Sequence, residues 1–162
     1  MIEPGLDVFP NNIIRILADS AKTLDGDLSI FRRPLRTSDP NQSVGVFPGQ
    51  WVPNERSQEM GRFNPGEPTL QQYVVGVQAF VKDADEEVGL ARHSTLSYGI
   101  RSMLYRDASI RLGFQSLSYT SNGVTERLRR WGIRSQRFLS NELSGSWLYL
   151  STLEVWAETD SS

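Results

Sequence analysis

The stretch "GSWLYLSTLEVWAET", Gly145–Thr159, limits the possible folds more than any other part of the chain. Read as a strand, its side chains alternate between two faces. Both faces are apolar, through Trp147, Leu148, Tyr149, Leu150, Leu153, Val155 and Trp156. Such a strand belongs in the middle of a sheet, or at an edge covered by another subunit. "TLQQYVVGVQAFVKD", Thr69–Asp83, is the second clear strand. It sets Tyr73, Val75, Val77, Ala79 and Val81 on one face and Gln72, Gln78 and Lys82 on the other.

The remaining elements follow from period and punctuation. "FPNNIIRILADSAKTL" reads as a first helix, because Ile13, Ile14, Leu17, Ala21 and Leu24 recur at helical spacing and Pro10 suits a first turn. "LSIFRRPLR" is a short strand ending near Pro34, which places it at a sheet edge. In "DADEEVGLARHSTLSYGIRSMLYRD" the acids Asp83, Asp85, Glu86 and Glu87 open a helix, and Arg101 and Arg106 close it, as the macrodipole favours. Its core stripe is Leu96, Ile100, Met103 and Leu104. A further helical turn is expected around Ala108–Leu112, followed by a hairpin turning at Asn122–Gly123. Between Thr37 and Pro68 five prolines and four glycines predict a long irregular loop, one that embraces a neighbour or is disordered alone. The expectation is a single α+β domain over residues 1–162. It has a mostly antiparallel sheet of about five strands and two main helices packed on one face.

Several chemistries are hard to build from these residues. The chain has no cysteine, so disulfides, thiol chemistry and Cys-ligated metal are out. His93, the only histidine, shares a helical face with Leu96 and Ile100 and reads as a core or capping residue, since one His without Cys cannot hold zinc. "DADEE" lacks the spacing and glycine of a calcium loop. "ELSGSWL" is no nucleophile elbow at Ser146, and "GVFPGQW" is neither a Walker loop nor a dinucleotide fingerprint. The expectation is a protein that is not an enzyme and takes no cofactor or metal. No apolar run approaches the ~20 residues of a membrane span. "MIEPGLDVFPNN" has no basic, apolar signal, so a soluble protein made and used without export is expected, and the sequon at Asn41 counts for nothing.

"VTERLRRWGIRSQRF", Val124–Phe138, carries Arg127, Arg129, Arg130, Arg134 and Arg137 against the single acid Glu126, in a chain whose formal net charge is −2. Strict alternation would put Arg127, Arg129 and Arg137 with Trp131 and Ile133, and Arg130 and Arg134 with Leu128 and Gly132, unless a bulge near Gly132 shifts the phase. The run is therefore not a one-sided basic stripe, and the chain lacks the overall excess of a nucleic-acid binder. From Phe138 onward there is no Lys or Arg, only Glu142, Glu154, Glu158 and Asp160. A basic segment is followed by an acidic one. Either the two pair within one fold, or they meet head to tail across a repeated subunit interface. Arg127, Arg129, Arg130, Arg134, Arg137, Glu142, Glu154 and Glu158 are the candidate interface residues, together with Trp51 and Trp131.

Three longer segments extend this reading: "IFRRPLRTSDPNQSVGVFPGQW", "GEPTLQQYVVGVQAFVKDADEEVGLARHSTLSYGIRSMLYRD" and "RRWGIRSQRFLSNELSGSWLYLSTLEVWAET". Together, over about Ile30–Thr159, the chain resembles the tail terminator proteins of long non-contractile-tailed (siphovirus-type) phages, especially those of actinobacteria. The likeness is one of whole segments and not of a chemical motif. It implies a small α+β subunit, made in the host cytoplasm, that forms a six-membered ring on the head-proximal end of the tail tube. There it would stop tube polymerisation and dock the head-completion (stopper) protein. Its partners would be itself, the major tail tube protein and the stopper, with no membrane, and genomic DNA would pass its lumen without sequence-specific binding. The family has no catalytic residues to carry over. Two other readings stand beside it: another neck ring such as a head-tail connector or stopper, or a nucleic-acid-binding module using Arg127–Arg137 with Trp131 as a stacking platform.

Overall fold

The structure is a computed structural model, and it describes residues 8–25, 27–49, 52–53 and 69–161. The first helix, α1 (Val8–Ala21), is followed by β1 (Ser29–Phe31), β2 (Gln42–Pro48), β3 (Val52–Pro53) and β4 (Thr69–Asp83). Helices α2 (Glu86–Arg106) and α3 (Ala108–Gln115) come next, then β5 (Ser118–Ser121), β6 (Val124–Leu143) and β7 (Ser146–Ser161). The strands form one seven-stranded sheet in the order β1-β2-β4-β7-β6-β5, with β3 pairing the start of β4. Among the described residues only the β1–β2 pair is parallel. The fold is α+β, as expected, with β1 at an edge and β7 between β4 and β6.

Among the described residues the two main helices, α1 and α2, cover one face of this sheet together with α3, which forms where a further helical turn is expected around Ala108–Leu112. Ile13 and Leu17 of α1, Ile100 and Met103 of α2, and Ile110 and Phe114 of α3 share a single core. The sheet side of that core is Val44 and Val46, Val75, Val77 and Ala79, Leu128, and Leu153, Val155 and Ala157. Asp85 caps α2 by accepting from the Val88 N–H at 3.0 Å, and Asp107 does the same for α3 from Ser109 at 2.8 Å. On the other face Val74, Phe80 and Leu148 are also buried, which makes β4 and β7 two-sided strands.

The expected irregular loop at 37–68 is corrected in its first part. "QSVGVFP" is a sheet strand, β2, hydrogen-bonded between β1 and β4. Val44 and Val46 enter the core at alternate positions. The prolines at 40 and 48 bracket this alternation without interrupting it. The connection from β1 into β2 is tied by Arg33, whose guanidinium donates to both carboxylate oxygens of Asp39 at 2.9 and 2.7 Å. These bonds, with the Arg36 N–H, pull the pKa of Asp39 down to about 2. Residues 54–68 of the expected loop, and Trp51, lie outside the described residues.

Two hairpins frame β6, and both close with two residues at positive φ. Asn122 and Gly123 sit at 52° and 77°, and Ser144 and Gly145 at 51° and 79°. These values suit the right-handed twist of the flanking strands. The first turn is the predicted one. The second lies inside "ELSGSWL", whose sequence does not make a catalytic turn but does make this hairpin.

Candidate assembly surface

β6 is the strand that carries the arginines, and its pairing with β7 is broken twice. Register shifts fall between Leu128 and Arg130 and between Ile133 and Ser135, so Arg129 and Arg134 are the extra residues of two bulges. Each bulge resets the alternation. Leu128, Trp131 and Ile133 therefore pack against the core, and strict alternation with Arg129 beside Trp131 is overturned. Trp131 meets Phe114 edge-on, with ring centroids 5.2 Å apart and planes at 87°.

The two charged segments lie against each other as cross-strand neighbours. Arg127 is the register partner of Asp160, Arg130 of Glu158, and Ser135 of Glu154. Arg130 makes a two-pronged pair with Glu158, Nε to Oε1 and Nη2 to Oε2 both at 3.1 Å, and its guanidinium sits 5.7 Å from the Trp156 ring centre. The carboxylate of that pair is buried, whereas 64% of the Arg130 side chain is exposed. Trp156 reaches across Gly132, where a Cβ would stand 2.9 Å from its Nε1, so only glycine leaves room there. Glu126, the lone acid of the basic run, accepts from the Tyr73 hydroxyl at 3.0 Å and the Thr159 hydroxyl at 2.6 Å. Charge pairing within the fold thus accounts for Arg130 and Glu158. Arg127, Arg129, Arg134, Arg137 and Glu142 are exposed and make no ion pair among the described residues.

Residues 134–145 are all exposed. Phe138, Leu139 and Leu143 belong to this tip, although neither charge nor motif singled them out. Phe138 is held by two rings, His93 at 5.2 Å and Tyr149 at 6.2 Å. On the opposite face Leu139, Leu148, Leu150, Phe80 and Leu35 line an apolar groove of about 200 Å³. The signal available in sequence was the apolar pair Phe138–Leu139 in an otherwise polar run, which loads both faces of a strand at once.

His93 is buried, and burial lowers its pKa, opposed by a bond to the Ala79 carbonyl. Ser97 Oγ lies 3.4 Å from its Nε2 and 3.1 Å from Ser151 Oγ. A serine beside a histidine is the arrangement of an activated nucleophile. Here His93 and Ser151 are only 3% and 5% exposed, and the chain of contacts bridges α2 to β7. Among the described residues no group of three or more His, Asp or Glu is placed to hold a metal ion, and no helix is long and apolar enough to cross a membrane. No known protein-family profile matches the chain, and no curated protein matches it significantly.

Proposed function

We propose that this protein is a structural subunit of a phage virion. It caps the head-proximal end of the tail tube as a six-membered ring, ends tube polymerisation and offers a docking face to the head-completion protein. The sequence likeness over Ile30–Thr159 motivates the reading. The observation that carries it is the surface of β6, where four exposed arginines without an ion-pair partner among the described residues run beside an open sheet edge and exposed Phe138 and Leu139. Exposed aromatic and arginine side chains on a rigid scaffold are the composition of a protein-binding surface. Arg127, Arg129, Arg134 and Arg137 would face neighbouring subunits or tube, and Glu142 would supply a complementary acid. Arg130 and Glu158 would stiffen the strand from within. DNA would pass the ring without being read.

The nucleic-acid-binding alternative loses its stacking platform, because Trp131 is turned into the core against Phe114. A connector or stopper ring would bind the portal side of the neck instead of the tube. The test is to mix the purified chain with polymerising tail tube protein and image the products. Rings on one end of each tube and shorter tubes are the expected result. Tubes of unchanged length with bare ends would overturn the reading, and binding to portal rings alone would move it to the connector class.

A further inference from the structure

We propose that a second copy of this chain pairs with the open edge of β6, antiparallel about a two-fold axis at Phe138, so that Arg134 of each copy meets Glu142 of the other. The inference concerns the free subunit and does not rest on the ring reading.

β5 covers β6 only over Val124–Arg127, and the Leu128 N–H still reaches the Leu117 carbonyl at 3.1 Å. Beyond that point β6 has β7 on one side and, among the described residues, no strand on the other. Alternate N–H and C=O groups along such an edge point to solvent and form a template for another strand. Proteins blunt such edges with bulges and charges. β6 has both in its first half, where the bulges fall at Arg129 and Arg134. Its second half, Ser135–Leu143, is unbulged and runs in steady register with Glu154–Ser146. There Phe138 and Leu143 are 50% exposed and Leu139 is 66% exposed. The Phe138 ring is already fixed against His93 and Tyr149, so little freedom is lost when its outer side is covered.

The sequence chooses the occupant. In "RSQRFLSNE", Arg134 stands four residues before Phe138 and Glu142 four after, so the segment is a charge palindrome about the ring. Antiparallel pairing centred on Phe138 sets Phe138 opposite Phe138, Ser135 opposite Asn141 and Gln136 opposite Ser140, and it brings Arg134, the bulged residue at the end of the regular run, to Glu142 twice. Arg137 then lies opposite Leu139, where its methylene stem covers apolar surface instead of facing another arginine. Sliding by one residue would oppose the two faces of the pleat. Sliding by two sets Arg134 against Ser140 or Ser144 and leaves Glu142 without a partner. Parallel pairing in register would set Arg134 against Arg134. One register alone satisfies faces, rings and charges together.

The experiment is sedimentation equilibrium of the full chain from about 1 µM to about 1 mM, the range over which weak association becomes populated. It is run on the wild type, Arg134→Glu, Glu142→Arg and the double exchange, with far-UV circular dichroism confirming that each is folded. Wild type should rise to twice the chain mass. Each single exchange should weaken the dimer by about tenfold or more, and the double exchange should restore it to within about threefold. Amide exchange at Ser135–Asn141 should slow as concentration rises. A monomer at every concentration would overturn the proposal. So would single exchanges without effect, a double exchange no better than the singles, or a six-membered species with no dimer. That last result would support the ring while removing the two-fold pairing.

Discussion

β6 and β7 are partners along nearly their whole length, yet they live in different surroundings. On β7, Leu148, Tyr149, Ser151, Leu153, Val155 and Ala157 through Thr159 are buried, so material lies on both sides of the strand. On β6 only Leu128 is fully buried, and everything from Arg134 to Leu143 is exposed. β7 is the stronger strand because β4 and β6 flank it and α2 lies across its helix face. Among the described residues β6 has no paired outer strand after Arg127, and it carries two bulges at its arginines. Neighbouring strands can thus share hydrogen bonds and divide the work, one holding the core and the other presenting a surface.

The largest effects should separate the two strands by stability. Leu153→Ala on β7 empties a packed site and should cost about 2–5 kcal/mol. Leu139→Ala on β6 removes an exposed side chain and should stay within about 0.5 kcal/mol. Urea unfolding of both variants checks the pair. Equal losses would mean that the tip of β6 is covered in the folded protein, contrary to the exposure of Leu139.

How much of this could be read beforehand differs between the same two strands. The two-sided burial of β7 followed from its composition, since apolar residues on both faces leave no other place for a strand. The faces of β6 could not be read by counting in twos, because each bulge shifts the count by one and leaves little mark on residue type. β2 was hidden for a different reason. Its five-residue alternation lies between prolines and glycines that usually signal loops, and only the pairing surface of β4 decides that it joins the sheet. The second hairpin, at Ser144–Gly145, was missed, although Ser-Gly is a dipeptide that marks turns. The surface itself was half legible. The arginine run pointed to the strand, but which arginines are spent inside the fold depends on register, and register is a long-range property.

Within the charged run, Arg130 should be the costly position and Arg137 the silent one. Replacing Arg130 with Met leaves the buried Glu158 carboxylate without its two donors, a loss of about 1–3 kcal/mol. Arg137→Met removes an exposed cation with no ion-pair partner among the described residues and should change stability by less than about 0.5 kcal/mol. For assembly onto tail tubes the order should invert, with Arg137→Met the more damaging. Thermal melts and tube-capping assays on the same two proteins would show both orders. If Arg137→Met left capping untouched, the arginine would be dropped from the proposed interface.

The smallest effect lies where the two strands meet, at His93 beneath Phe138 of β6 and Tyr149 of β7. Burial holds its folded pKa below the ordinary 6.5. In the unfolded chain the imidazole takes a proton near 6.5, while in the folded protein it does so only at lower pH. Below 6.5 the unfolded state therefore binds more protons, and stability falls with pH until the folded pKa is passed. Well above 6.5 the group has no influence. Because His93 is the only histidine, a drop in urea midpoint between about pH 7.5 and about pH 5.5 should be largely its own. His93→Gln, which carries no charge at either pH, should flatten that drop, and an equal slope in the variant would remove the explanation. Protonation adds a charge under a ring that β6 leaves half exposed, whereas Tyr149 is anchored by its hydroxyl to the Glu86 carbonyl at 2.9 Å. Protection factors of amides at Gln136–Ser140, taken against the intrinsic rate at each pH, should then fall at lower pH before those of Leu148–Leu150, because the strand with an open edge has fewer contacts to lose.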